Sequence, residues 1–195
     1  MKEEEKLRSK VVETLNSGGL VIFPTDTAFG IGCVINNPKS VKKLFEVRRR
    51  SLTQAVPVLV GSIEMAKKYL IPLPCEVEKL MEDHWPGALT IIFPCKKELV
   101  PGLVRGGGEN LGVRMPNNSF MLEVIKQVGV PILGPSANFH GEATPYLDSH
   151  LNPELVELVD LVIPGFAPDN MASTVIDCSV TPWKIVREGK VKINI

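Results

Sequence analysis

The chain has 195 residues, 44% of them hydrophobic and 23% charged, enough apolar mass for one domain with a sizeable core, which excludes disorder as its main state. Lys and Arg number 22 against 22 Asp and Glu, so the formal net charge is +0 and any contact with a polyanion has to come from a local patch. Four cysteines without a Cys-x-x-Cys pair and three histidines without ligand spacing argue against a structural zinc site, and the thiols read as buried or inert.

In chain order, Leu7, Val11, Val12 and Leu15 recur at helical spacing and predict a helix over 3–16, stopped by Gly18-Gly19. No apolar run follows that could serve as a signal peptide or reach the ~20 residues of a membrane span, so the chain is expected to be soluble and cytoplasmic. LVIF (20–23) and GIGCVI (30–35) read as two strands joined by the loop PTDTAF. Val41, Leu44, Phe45 and Arg48 share one face of the next helix, which ends at Arg48 and Arg50, and PVLVG (57–61) reads as a buried strand. Short helices are expected over 62–70 and 74–83, separated by Pro72 and Pro74. Strands follow in WPGALTIIF (85–93) and, after RGGG (105–108), in LGVRM; a helix over 118–128 with Phe120, Met121, Val124, Ile125 and Val128 inward precedes the strand PILG. STVIDCS, WKIVREG and KVKINI read as three strands added antiparallel at one end. The expected fold class is therefore α/β: a single-domain, twisted, open mixed sheet with flanking helices.

Neither a Walker loop nor a complete dinucleotide loop occurs, because Gly30-x-Gly32 has no third glycine. Candidate chemistry lies in four loops at strand ends. PTDT (24–27) serves either as a turn or cap or as a row of ligand-facing hydroxyls. VRRR (47–50) puts three guanidiniums at a helix end, as a phosphate clamp or as an ordinary solvated terminus that complements the helix dipole. GPSANFHGEATP (134–145) concentrates hydrogen-bonding groups after a buried strand, more densely than a turn requires. The fourth pairs Ser173-Thr174, opening one tail strand, with Arg187 at the end of the next. His140 reads as a surface residue, Cys33 and Cys178 as core, and Asp26 as a turn former or as the orienter of Thr27 or of a metal-bound water.

PTDTAFGIG, the basic R-x-R followed by QAVPVLV, HWPGALTIIF, GVRMP, GPSAN-x-x-G, STV and VREG resemble, in order and approximate spacing over residues 10–190, the YrdC-like family of threonylcarbamoyl-AMP synthases. The resemblance implies a YrdC/RibB-like fold with a concave, positively charged surface where ATP, L-threonine and bicarbonate meet. It implies L-threonine binding by Thr27, Arg114, Gly134 (through its backbone) and Ser173, with Arg114 forked onto the carboxylate. It implies ATP binding by Arg48, Arg50, Gln54, Asn110, Ser136, Asn138, Thr144 and Arg187, with Mg²⁺ carried by ATP rather than by the protein. The product would pass to a tRNA threonylcarbamoyl transferase complex that modifies adenosine 37 of tRNAs reading codons that start with A.

The chain departs from the family pattern at several places. Arg48-Arg49-Arg50-Ser51 stands for Lys-x-Arg-Pro, Gln54 for Lys or Asn, Phe29 for a tyrosine, Asn110 for a threonine, and Leu59 for a histidine found in some members. The implied reaction joins the threonine amine to bicarbonate, and the resulting carbamate attacks the α-phosphorus of ATP and expels pyrophosphate. It needs no covalent protein nucleophile, in keeping with a sequence that offers no paired carboxylates, no Ser-His-Asp candidate and no activated cysteine. Two other readings share the fold: a double-stranded RNA or tRNA-binding module, opposed by the balanced charge and the 6% aromatic content, and a carbamoyl-transfer domain of the hydrogenase-maturation kind, whose usual acylphosphatase-like and zinc-finger segments this chain lacks.

Overall fold

The structure is a computed structural model and describes residues 2–193. Helix α1 (Lys2–Asn16) buries Val11 and Leu15 and leads into β1 (Val21–Pro24), which turns back as β2 (Phe29–Gly32). Asn37 caps α2 (Pro38–Val47), its side chain accepting from the Lys39 and Ser40 amides. β3 (Val58–Leu59), α3 (Ile63–Tyr69) and α4 (Cys75–His84) follow, then β4 (Leu89–Pro94) and β5 (Asn110–Arg114). Helix α5 (Ser119–Val128) is capped by Asn118 and ends on Gly129 at φ 78°. After β6 (Ile132–Leu133) come a 3₁₀ turn (Asp148–His150), α6 (Pro153–Glu157), β7 (Leu161–Val162), β8 (Thr174–Asp177) and β9 (Lys184–Arg187).

The strands form two sheets, ordered β2-β1-β7 and β6-β3-β5-β4-β8-β9. Backbone bonds join them where the segment after Val130 runs beside β2: Ile35 N to Pro131 O (3.0 Å), Leu133 N to Cys33 O (2.9 Å), Ile31 N to Pro135 O (2.9 Å) and Ala137 N to Phe29 O (2.8 Å). β1 and β7, β3 and β5, and β4 and β8 pair parallel, and the other pairs are antiparallel, so the mixed sheet expected from the sequence is present.

β1 is buried on both faces, which explains its unbroken apolar run. Val21 and Phe23 enter a core with α1 and α5, while Leu20 and Ile22 enter the larger core under α2, α3 and α4. In α5, Met121, Val124 and Ile125 are buried as expected, whereas Phe120 and Val128 are only partly so.

The tail differs from the sequence expectation. β8 lies parallel to β4 rather than antiparallel, β9 pairs antiparallel with β8, and residues 190–193 form no strand; Asn194 and Ile195, the end of the KVKINI run, lie outside the described residues. The long stretch between Pro145 and Ser173 is what lets the chain re-enter the sheet in the parallel sense. Among the described residues no helix is long and apolar enough to cross a membrane.

Candidate functional site

The inner face of the six-stranded sheet is the floor of a cavity of about 510 Å³. Strand alternation builds it: Thr90 and Ile92 of β4 and Asn110, Gly112 and Arg114 of β5 face the cavity, while Leu89, Ile91, Phe93, Leu111 and Val113 enter the core. Ser173 and Val175 add the β8 side, and Arg187 of β9 closes it. The walls are the turn after β1, the end of α2, and the loop after β6. Gly134 is required there because a β-carbon would stand 2.4 Å from Cγ of Leu59, itself part of the wall.

At one end the PTDT turn divides its labour. The Thr25 hydroxyl accepts from the amides of Thr27 and Ala28 (3.2 Å each) and donates to the Ala28 carbonyl (2.7 Å), so it is the turn former. Thr27 lines the cavity, and its Oγ1 accepts from Nη1 of Arg114 at 2.5 Å. Nε of Arg114 donates to the Gly87 carbonyl at 2.9 Å, and Nη2 is ion-paired with Oδ1 of Asp26. Both members of that pair are buried, with 8% and 6% of their side chains exposed. Burial pushes the Arg114 guanidinium below its ordinary value, and Asp26 pulls it back. Three of the five guanidinium N–H donors are thus engaged, and the remainder of the fork suits a carboxylate. Asp26 is therefore the partner of an arginine 88 residues away as well as a member of the turn. The Gly134 amide is committed to the Pro57 carbonyl at 3.0 Å, which limits its backbone offer to the carbonyl oxygen.

The other end is short of partners. Arg48 is 2% exposed; its Nε and Nη2 donate to the carbonyl (3.1 Å) and side-chain Oδ1 (3.2 Å) of Asn138, and its Nη1 is buried with no partner among the described residues. Arg50 donates from Nη2 to the Ala55 carbonyl at 2.9 Å, while its Nε is likewise buried and unpartnered. Burial, and then the charge of Arg50, pull Arg48 down to about 10. Leaving such donors unmade costs about 1–3 kcal/mol each, more where the group is charged.

Arg49 does not join this pair. Bonds from Arg49 N to Glu46 O and from Arg50 N to Phe45 O, both 2.9 Å, close α2 in a Schellman motif, with Arg49 at φ 52° in the position glycine usually fills. The left-handed backbone costs a non-glycine residue roughly 1–2 kcal/mol, and it sends Arg49 outward, so VRRR supplies two cavity-facing guanidiniums rather than three.

Arg187 reaches the Ser173 carbonyl from Nε (3.0 Å) and Nη2 (2.8 Å) and the Ser173 hydroxyl from Nη2 (2.9 Å); that hydroxyl also meets Oγ1 of Thr90 at 2.9 Å. Asn110 donates to the Ser179 hydroxyl at 2.8 Å. Ser136 and Thr144 lie on the wall. Two expected residues do not: Gln54 is exposed on the loop before β3, and Asn138 stands behind the wall, its Oδ1 accepting from Arg48 and Ser136 and its Nδ2 donating to the Glu142 carbonyl at 2.7 Å. Asn138 thus acts on Arg48 instead of facing the cavity.

Sequence reasoning passed over Arg105, Thr90 and Glu109, which also line it. Arg105 is held by the Val100 carbonyl (3.1 Å) and by Gly108, in a loop that Gly106 (φ 59°) and Gly107 (φ 80°) allow to fold tightly. Among the described residues five arginines, Arg48, Arg50, Arg105, Arg114 and Arg187, line the cavity against one carboxylate, Glu109, and make it cationic in a chain of net charge +0. Neither cysteine nor histidine lines it: His140 is exposed, and Cys33 and Cys178 are buried with their thiols pushed up to about 12.

The Sua5/YciO/YrdC family model, which carries the description telomere recombination, matches residues 13–189. A Bacillus subtilis threonylcarbamoyl-AMP synthase is 32% identical over 176 residues, covering 90% of this chain and 51% of the relative. A crystal structure of Pyrococcus abyssi Sua5 complexed with L-threonine is similar with a TM-score of 0.90 and 30% identity, over 95% of this chain and 54% of that one. Escherichia coli YciO is similar with a TM-score of 0.84 and 26% identity, over 94% of this chain and 89% of that one. The chain spans about half the length of the B. subtilis and P. abyssi relatives.

Proposed function

The chain belongs to the Sua5/YciO/YrdC family, and from that premise we propose that it condenses L-threonine, bicarbonate and ATP to L-threonylcarbamoyladenylate and pyrophosphate. The observation that carries this reading is the asymmetry of the cavity: a neutralised arginine fork at one end, and two arginines with buried, unpartnered N–H groups at the other. An amino-acid carboxylate suits the first and a polyphosphate the second.

Arg114, oriented by Asp26 and Thr27, would take the threonine carboxylate, with Ser173 and the Gly134 carbonyl beside the amino acid. Arg48, Arg50, Ser136 and Thr144 would hold the phosphates, and Asn110 and Arg187 would meet the rest of the nucleotide. The threonine amine adds to the bicarbonate carbon, and water leaves with the hydroxyl of bicarbonate and the proton given up by the amine. A carbamate oxygen then bonds to the α-phosphorus as the bond to pyrophosphate breaks. The residues' contribution is juxtaposition and charge neutralisation, since the wall holds arginines and hydroxyls but no cysteine or histidine nucleophile. Mg²⁺ would enter as part of the ATP substrate: among the described residues Asp26 is engaged with Arg114 and Glu109 is the one carboxylate on the wall, a donor set that suits a metal carried by the nucleotide. The product would be used in the cytoplasm by a transferase acting on adenosine 37 of tRNA.

A pyrophosphate-release assay tests the reading. Release is expected to require ATP, bicarbonate and L-threonine together and to be lost in folded Arg50→Ala and Ser136→Ala proteins; threonine-independent release contradicts it.

A further inference from the structure

Asn138, Phe139 and His140 are gripped from two sides. From the cavity side Arg48 holds them through its two bonds to Asn138 and through its carbonyl, which accepts from the His140 amide at 2.9 Å. From the outer side the Arg49 guanidinium lies over the Phe139 ring, 3.9 Å from its centroid, and is ion-paired with Glu154 of α6. Phe139 is 3% exposed, so the ring under that cation is fixed by the core.

A helical residue 49 would set Arg48 and Arg50 about 200° apart around the axis, on opposite faces, because successive side chains turn by about 100°. The left-handed turn at Arg49 removes that separation and lets both neighbours face one cavity. A glycine would adopt this backbone with less strain, yet the residue present is an arginine whose side chain is stacked and paired on the far side of the loop that carries Ser136 and Thr144. We propose that Arg49 is a positioning residue: it clasps the end of α2 to the 134–145 loop and to α6, and so holds Arg48 and Ser136 at the spacing the phosphates need, without touching substrate. The inference rests on the nucleotide reading above and adds to it a residue outside the cavity.

Arg49→Gly separates side chain from backbone, since it removes the clasp and favours the turn. ATP and L-threonine affinities are measured by calorimetry on the whole chain, together with amide exchange at His140. The expected result is ATP binding weakened roughly threefold to tenfold with threonine binding unchanged, in line with the strength of a cation–π contact on a buried ring. His140 is expected to exchange faster, and Arg49→Lys, which keeps the cation, to recover part of the loss. Unchanged ATP affinity in Arg49→Gly, or parallel loss of both ligands, overturns the positioning role. Wild-type protein that binds no ATP overturns the nucleotide reading instead, and the two failures are distinguished by the wild-type titration alone.

Discussion

Arg114 and Arg48 are both buried guanidiniums lining one cavity, Arg114 on its floor and Arg48 on its wall, yet they are held in opposite ways. Arg114 has a carboxylate, a hydroxyl and a carbonyl, so its charge is compensated before any ligand arrives. Arg48 has only the neutral oxygens of Asn138, lies near the like charge of Arg50, and keeps an unpartnered N–H. Burial alone therefore does not define a binding arginine: a compensated one offers geometry, whereas an uncompensated one also offers free energy to an anion that neutralises it.

The largest expected effect comes from breaking the compensated pair. Arg114→Met leaves Asp26 as a lone buried carboxylate and should lower stability by roughly 3–5 kcal/mol in chemical denaturation, with threonine binding lost. Adding Asp26→Asn to it should restore much of the stability and none of the binding; no restoration would mean that the pair is not what holds this region.

Arg48→Met should behave in the contrary way. Its folded value, about 10, lies below that of a free arginine, so the folded state binds this proton less tightly than the unfolded chain. Its charge therefore opposes folding throughout the range below pH 10, and the penalty is relieved only as pH rises through that value. Removing it should change stability by less than about 1 kcal/mol, because relief of the charge offsets the lost bonds to Asn138. It should also abolish most of the ligand stabilisation, about 2.7 kcal/mol for wild-type protein at ATP a hundredfold above its Kd. Equal stabilisation of both proteins by ATP would put the anion elsewhere.

The smallest effect is expected at Gln54, which is exposed and off the wall: Gln54→Ala should stay within about 0.5 kcal/mol in stability and leave ATP affinity unchanged.

Much of this contrast was legible in the sequence in parts but not as a pairing. The elements with a full period, such as α2 and α5, are legible to within a residue or two, and the loops bearing Thr27, Arg50, Ser136 and Ser173 stand out because polar residues interrupt the apolar runs there. The stretch from Tyr146 to Ala172 carried no readable period because its 3₁₀ turn, α6 and β7 run only two to five residues each. They are set by tertiary bonds, such as those from Asp160 and Leu161 to the Leu20 carbonyl and from Ile163 to Ile22. Thr90 was discoverable, since it alternates with Leu89 and Ile91 on β4. The Asp26–Arg114 pair and the outward turn of Arg49 were not, because one joins distant segments and the other is a backbone choice that an arginine codon does not announce. Prolines in these loops act as acceptors: the carbonyls of Pro57, Pro135 and Pro145 accept from the amides of Gly134, Ile31 and Phe29, tying the polar loops to the sheet.

The most direct test of two differently built ends is a crossed titration, with L-threonine and ATP binding measured separately by calorimetry on wild-type, Arg114→Lys and Arg48→Met proteins. Arg114→Lys is expected to weaken L-threonine binding and spare ATP, while Arg48→Met is expected to weaken ATP binding and spare L-threonine. Parallel loss of both ligands in either variant would contradict that division.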